Sequence, residues 1–388
     1  MPAQVRLGII GIGNQGSTYA RRLVKENWVP EIRLTAIADI NPERIAWARE
    51  AVSPDITYFD DAMAMLDSGL IDACVVAIPH YDHPKYVIAC LRRGIHVLCE
   101  KPAGVYTAQV REMNEEAEKH PDVVYAMMFN QRTNCVYRKM REMIRSGKYG
   151  RVRRANWLIT NWYRSQYYYD SGDWRATWSG EGGGVLLNQC PHQLDLWQWI
   201  LGMPKRVHSF MHYGLWHDVE VEDDVTTYME YEDGHTGVFI TSTGDPHGSN
   251  RFEVQMDGAQ LICENDKLFV AELSQLEQDW TKTNKQPFGS VPAREMEVET
   301  DGLNPQHQGV FEAFAGAILR GEPLVAGGEE GIHGLTLSNA MHLSAFLGQP
   351  VEIPFDEKRY YDELMKRVAH SHRKTPAKAV FANTEGTY

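Results

Sequence analysis

A glycine hexapeptide set between a strand and a helix constrains this chain more than any other feature. Residues 11–16 read Gly-Ile-Gly-Asn-Gln-Gly and fit the pattern G-x-G-x-x-G. Alone, the pattern is common. Here it follows the apolar run VRLGII, opens a helical stretch, and precedes a second apolar run that ends at Asp39. That context predicts a dinucleotide-binding turn rather than a generic strand-to-helix loop. Gly11 allows the tight turn, and Gly13 lets backbone amides approach a pyrophosphate. Gly16 lets the helix pack closely, its positive end toward the phosphates. Ile12, Asn14 and Gln15 complete the loop. Asp39, with Ile40 beside it, suits the adenosine ribose hydroxyls and repels a 2′-phosphate. No arginine or lysine follows immediately in ADINPE, so NAD is expected over NADP.

The surrounding chain supports this phasing. Near-continuous apolar runs alternate with helical patterns up to VVYAMMF, as expected of a parallel sheet covered on both faces. In DINPERI, Asn41 is placed to cap a helix with Pro42 in its first turn. Beyond residue 150 the pattern changes to longer strands, with Asp-Gly turns at 233–234 and 257–258. The fold class is therefore α/β: a doubly wound Rossmann sheet over residues 1–130, then an α+β domain over 131–388 with an open, mainly antiparallel sheet. The latter is expected to bind substrate and mediate oligomers. The final helix and strand either stay there or return to the first domain.

Ligands of doubly wound sheets sit beyond the carboxyl ends of the strands. Three such edges occur: AIPHYDH (77–83), CEKPAG (99–104) and MFNQR (128–132). Ala77, Pro79 and Asn130 are candidates to touch the dinucleotide. His83 either joins them or is a helix-start histidine satisfied by backbone. Glu100 and Lys101 stand where a nicotinamide would arrive, and a partly desolvated lysine there exchanges protons nearer neutral pH. The alternative is a Glu100–Lys101 surface pair. In GEGGGVLLNQCPHQLDLWQWILG (180–202), a helix expected over 182–201 places Asn188, His192 and Asp195 on one face. His192 is either a base for a substrate hydroxyl or a structural histidine tied to Asp195. The aromatic stretch 161–178, which includes Arg164 and Arg175, either lines a pocket or is in part or whole core.

Composition narrows the partners. A net charge of −13 argues against nucleic acid and anionic membranes, and no apolar run approaches a bilayer's thickness. Six scattered cysteines without a C-x-x-C pair, and no separate cleavable leader, make the cytoplasm the expected location. The fifteen histidines show no H-E-x-x-H spacing, and HSH (370–372) falls in a polar tail, so no metal is expected.

Together GIGNQG, CEKPAG and GGGVLLNQCPHQLDLWQW resemble the glucose–fructose oxidoreductase / inositol dehydrogenase / MocA family of NAD(P)-dependent sugar and cyclitol oxidoreductases. The likeness extends to GDWRATW and to GGEEGIHGLTLSNAMHLSAFLGQPVEIP near the end. It implies that Lys101 is the catalytic lysine and His192 the acid/base. The family's substrate-orienting aspartate falls on Asn188, a departure, because an amide positions a hydroxyl but takes no proton. Trp174 and Arg175 are then expected near dinucleotide or substrate, the stretch 161–178 along a sugar pocket with Arg164 or Arg175 binding hydroxyls or an anionic group, and the open sheet within a homodimer or homotetramer. The implied reaction moves hydride from a secondary hydroxyl of a sugar, glycoside or cyclitol to NAD, with Lys101 and His192 handling the proton. One alternative is glycoside cleavage through transient oxidation and elimination. Another is a dinucleotide or sugar sensor without turnover, against which Glu100, Lys101 and His192 together argue.

Overall fold

The computed structural model describes residues 4–372. Strands and helices alternate first: β1 (Val5–Ile10), α1 (Asn14–Lys25), β2 (Ile32–Ala38), α2 (Pro42–Ala51), β3 (Thr57–Phe59) and α3 (Ala62–Leu66). Then come β4 (Ala73–Val76), α4 (His83–Leu91), β5 (His96–Cys99), α5 (Thr107–Glu118) and β6 (Tyr125–Met127). The six strands form a sheet in the order β3-β2-β1-β4-β5-β6, every pair parallel. All four residues of β4 are buried, as a sheet covered on both faces requires. The order reverses between β1 and β4, and that switch point opens the crevice in which such sheets bind ligands. At the start of α2, the Asn41 side chain accepts from the Glu43 amide and Pro42 takes the first position, as the sequence predicted.

The second half begins with α6 (Cys135–Arg145), β7 (Val152–Ile159), α7 (Gln166–Asp170) and α8 (Pro191–Leu201). It continues with β8 (Arg206–Tyr213), β9 (Glu222–Glu230), β10 (Thr236–Ser242), β11 (Asn250–Met256), β12 (Ala259–Glu264) and β13 (Lys267–Leu273). The last elements are α9 (Glu277–Thr283), β14 (Ala293–Glu297), α10 (Gln306–Arg320), α11 (Gly331–Leu347), β15 (Val351–Glu352) and α12 (Glu357–Val368). Nine strands pair in the order β14-β13-β12-β11-β7-β10-β9-β8-β15. Only β7 and β10 run parallel; the other neighbours are antiparallel. The two predicted Asp-Gly turns join β9 to β10 and β11 to β12.

One face of this sheet is core. Trp157 and Phe252 stack with ring centres 4.2 Å apart, and Trp197 of α8 meets Phe239 edge-on at 5.8 Å. The final strand β15 pairs with β8, while α10 returns to the first sheet, burying Val310, Phe311 and Phe314 in a cluster with Leu7, Ile9 and Tyr19. Asn339 of α11 clasps the stretch before α5, accepting from the Thr107 amide at 3.0 Å and donating to the Val105 carbonyl at 3.0 Å. Among the described residues no helix is long and apolar enough to cross a membrane.

Two sequence expectations change, and a third is not tested. The helix expected over 182–201 begins only at Pro191, after turns that carry Asn188. A proline lacks the amide that a helix interior needs and suits a first turn; Pro191 accordingly takes the first position of α8, after a non-helical Cys190 with φ −100° and ψ 10°. Asn188 therefore does not share a helix face with His192. The HSH segment, placed in a polar tail by the sequence, is anchored: Ser371 Oγ and the His372 amide both donate to Glu220, each at 2.6 Å. The stretch KTPAKAVFANTEGTY, expected to move freely or to cover a neighbouring subunit, lies outside the described residues.

Candidate active site

The glycine loop has the shape a dinucleotide requires. Gly11 has φ +86°, and a Cβ there would stand 2.5 Å from the Ala77 carbonyl oxygen across the β1–β4 switch point. A Cβ on Gly16 would reach 1.9 Å from the Gly11 carbonyl oxygen, so glycine is what lets α1 close on the loop. At Gly13 the same construction meets nothing within 4 Å, and no side chain caps the start of α1. The loop thus leaves open space at Gly13, beside the uncapped start of α1, and a pyrophosphate fits it. Asp39 accepts from the amides of Ile12 and Asn41, both at 2.8 Å, which holds its half-exposed carboxylate at the rim, while Ile40 lies exposed beside it. Arg44, five residues on in sequence, folds back to donate to the Ile12 carbonyl at 2.8 Å and stacks on Trp47. The local reading of ADINPE missed it.

The edge after β5 differs from a surface ion pair. Glu100 is buried and accepts from the Tyr19 hydroxyl and from the Lys101 amide, the latter at 3.1 Å. The Lys101 ammonium turns elsewhere and donates to the Asn188 backbone carbonyl at 3.0 Å. Burial is the largest influence on Lys101 and lowers its pKa. Glu100 and Glu181 oppose that, and Arg164 and Arg175 reinforce it. His83 is fully buried, with Nδ1 2.7 Å from the Pro102 carbonyl and Nε2 2.7 Å from the Ile78 carbonyl. Backbone occupies its ring, tying the loops after β4 and β5 together. Ala77 and Pro79 stand at the β4 edge as expected, and Asn130 is buried after β6, donating to Gln306 at 2.5 Å.

His192 lies on α8 with 3% exposure, and neither ring nitrogen has a hydrogen-bond partner. Burial, then the charge on Lys101, then His307 hold its pKa well below the usual histidine range, so the ring is neutral. It is not tied to Asp195. That carboxylate receives the Arg132 guanidinium in two bonds of 2.7 Å and the Gln198 amide at 3.0 Å. Buried polar atoms with no partner carry a desolvation cost that an incoming ligand would relieve. Besides His192, they include Asn130 Oδ1 and His80 Nδ1.

The aromatic stretch divides. Tyr169 and Trp178 are core, Tyr163 and Tyr167 are exposed, and Trp162, Tyr168 and Trp174 are intermediate. Arg175 donates to the Tyr168 hydroxyl at 3.0 Å and lies over the rings of Tyr168 and Trp174. Arg164 stacks on Trp162 and Tyr168 and donates to the Tyr163 carbonyl at 2.9 Å. Among the described residues neither guanidinium is paired with a carboxylate within 4 Å. Sequence reasoning overlooked Glu181, His80 and His307. Glu181 sits within a motif singled out for its glycines, and neither histidine has a spacing that marks it.

A parallel sheet with a glycine cradle at its switch point, facing a half-buried lysine and a neutral histidine, defines an NAD-binding oxidoreductase. Residues 5–128 match the model of the oxidoreductase family with an NAD-binding Rossmann fold, and residues 137–262 match the GFO/IDH/MocA C-terminal domain. The chain belongs to the GFO/IDH/MocA family. It is 24% identical over 342 residues to the myo-inositol 2-dehydrogenase of Thermotoga maritima, covering 87% of this chain and 95% of that protein. It is 27% identical over 361 residues to the 1,5-anhydro-D-fructose reductase of Ensifer adhaerens, covering 90% and 98%. In fold it is similar to the WlbA dehydrogenase of Chromobacterium violaceum, solved with NADH and UDP-GlcNAcA, with a TM-score of 0.78 at 23% identity, covering 92% of this chain and 98% of that one.

Proposed function

We propose that this chain oxidises a secondary hydroxyl of a sugar, glycoside or cyclitol. When bound, NAD supplies the hydride acceptor. Residues 1–130 hold the dinucleotide: Gly11 to Gly16 cradle the pyrophosphate, and Asp39 and Ile40 meet the adenosine ribose. Ala77, Pro79, Glu100, Asn130, Trp174 and Arg175 border its other half. Residues 131–388 present the substrate to Lys101. Arg164 and the half-buried aromatic rings face the sugar, since ring faces stack on apolar sugar faces. The amine of Lys101 accepts the hydroxyl proton as the C–O bond gains double-bond character. The neutral His192 ring, with no protein partner, is available to hold that hydroxyl or take its proton. Asn188 positions the substrate and takes no proton.

The observation that carries this reading is the meeting of Lys101 with the Asn188 turn, next to unpartnered His192, beyond the sheet edge that bears the glycine cradle. The substrate class is in keeping with the sugars and cyclitols named for the relatives. The test is NADH formation across a panel of inositols, aldoses, anhydrosugars and glycosides, with product release followed in parallel. NADH formation with at least one class is expected. Free aglycone without accumulating NADH would replace net oxidation by transient oxidation and elimination. Binding without turnover of any member would leave a sensor.

A further inference from the structure

Position 188 holds an amide that carries no charge, yet a carboxylate reaches the same spot from elsewhere. Glu181 is 2% exposed. One of its oxygens accepts from the Ala176 amide at 2.6 Å, and the other accepts from the Asn188 side-chain amide. The remaining amide oxygen of Asn188 faces the Tyr168 hydroxyl at 3.4 Å, and the Asn188 backbone carbonyl takes the Lys101 ammonium at 3.0 Å. One side chain thus fixes the orientation of the residue that anchors the lysine. We propose that Glu181 is the positioning residue of this site, its carboxylate locking the Asn188 amide and its charge setting the proton affinity of Lys101. The inference rests on Lys101 as the proton acceptor.

The surrounding charges give the sign. Burial dominates at Glu181 and pushes its pKa up to about 7, with Arg175 favouring the ionised form and Glu222 of β9 opposing it. Above that pH Glu181 carries its charge and, with Glu100, raises the proton affinity of Lys101 against burial, Arg164 and Arg175. The histidines nearby add no competing charge at neutral pH. Burial is the main cause at His80, His83, His192 and His307, and it keeps all four below the usual histidine range. Removing the Glu181 charge should therefore let Lys101 release its proton at lower pH.

The test reads the lysine itself. Competitive acetylation of Lys101 by acetic anhydride, quantified by peptide mass spectrometry across pH, gives its titration midpoint without turnover. Glu181→Gln should lower that midpoint by about one pH unit. Adding Asn188→Asp to Glu181→Gln should return it toward the wild-type value. Asn188→Asp alone, which adds a carboxylate and keeps the buried one, should raise it, and this variant decides the matter if Glu181→Gln does not fold. An unchanged midpoint in a folded, NADH-binding Glu181→Gln or Asn188→Asp protein would overturn the proposal. A panel without any substrate would instead defeat the functional reading while leaving this measurement intact.

Discussion

At the scale of single residues, the site depends on what burial does to a charge. Lys101 is half-buried with its ammonium on one carbonyl, so the free amine is more accessible than in water. With Lys101 in the proposed role of base, kcat/KM for oxidation should rise with pH through the lowered lysine pKa and level off above it; reduction should show the opposite dependence. Lys101→Ala should lose about 10²- to 10⁴-fold in kcat, the usual worth of a general base, while NADH binding read by nicotinamide fluorescence persists. Full activity in the variant across every accepted substrate would refute the assigned role. Cofactor choice is also a residue-scale matter. Asp39→Ala should lower the ratio of kcat/KM for NAD over NADP by about tenfold, the worth of roughly one strong hydrogen bond to a charge. Arg44, held at the loop by the Ile12 carbonyl, then faces any 2′-phosphate without the carboxylate's repulsion. An unaltered ratio would remove Asp39 from cofactor selection. Lys101, His192 and the glycines were legible because their motifs are contiguous. Glu181, His80 and His307 were not: Glu181 stands beside glycines that drew the reading to themselves, and neither histidine has a spacing that marks it.

At the scale of elements, the turns between Gly182 and Pro191 do what a longer helix could not. They turn Asn188 back toward both Glu181 and Lys101. Two features hold them. Glu222 of β9 accepts from the Gly184 amide at 2.8 and 2.9 Å and from the Leu186 amide at 3.1 Å, while its own carbonyl takes the Val185 amide at 3.0 Å. A Cβ on Gly184 would stand 2.0 Å from that carbonyl oxygen, a contact no rotamer relieves. Gly184→Ala should therefore shift the turn, cost about 1–3 kcal/mol of stability in a denaturant titration, and reduce kcat more than NADH affinity. A variant as stable and active as the parent would show that the turn does not set the site. Hydrophobic periodicity predicted α1, α2, α4 and α5, and the Asp-Gly pairs predicted both hairpins, because those signals lie within a dozen residues. The three residues of β3 and five of α3 are too short for any period to register. The start of α8 was misplaced because an apolar run through Val185, Leu186 and Leu187 mimics a helix that the glycines and Pro191 interrupt.

At the scale of the whole molecule, the nine-stranded sheet leaves one broad face without a covering layer among the described residues. Strand register places its side chains in rows. Phe210, Thr226, Ile240 and Leu158 lie side by side on β8, β9, β10 and β7, and the next row carries His208, Tyr228, Val238 and Asn156. Phe210 is 58% exposed and Tyr228 41%, whereas the residues alternating with them are core. Large apolar side chains spread across a flat sheet centre mark an interaction surface more often than a bare one. The strand edges are already taken: β15 and β14 end the sheet with two and five residues, so a partner would meet the face rather than extend the ladder. A second copy is the simplest partner, since a two-fold axis through the sheet pairs the same rows with themselves. About 800 Å² per subunit would suffice for a stable dimer. Sedimentation at micromolar concentration should find the chain as a dimer or tetramer. Phe210→Asp combined with Leu158→Asp should yield a monomer with unchanged circular dichroism, because both changes sit in solvent-facing positions and disturb no core contact. A wild-type chain that sediments as a monomer, or a double variant that stays associated, would move the interface off this face. The glycine loop and the edge that bears Lys101 lie on the first sheet, so the monomeric variant should still bind NADH, and its kcat would show whether association reaches the proposed site.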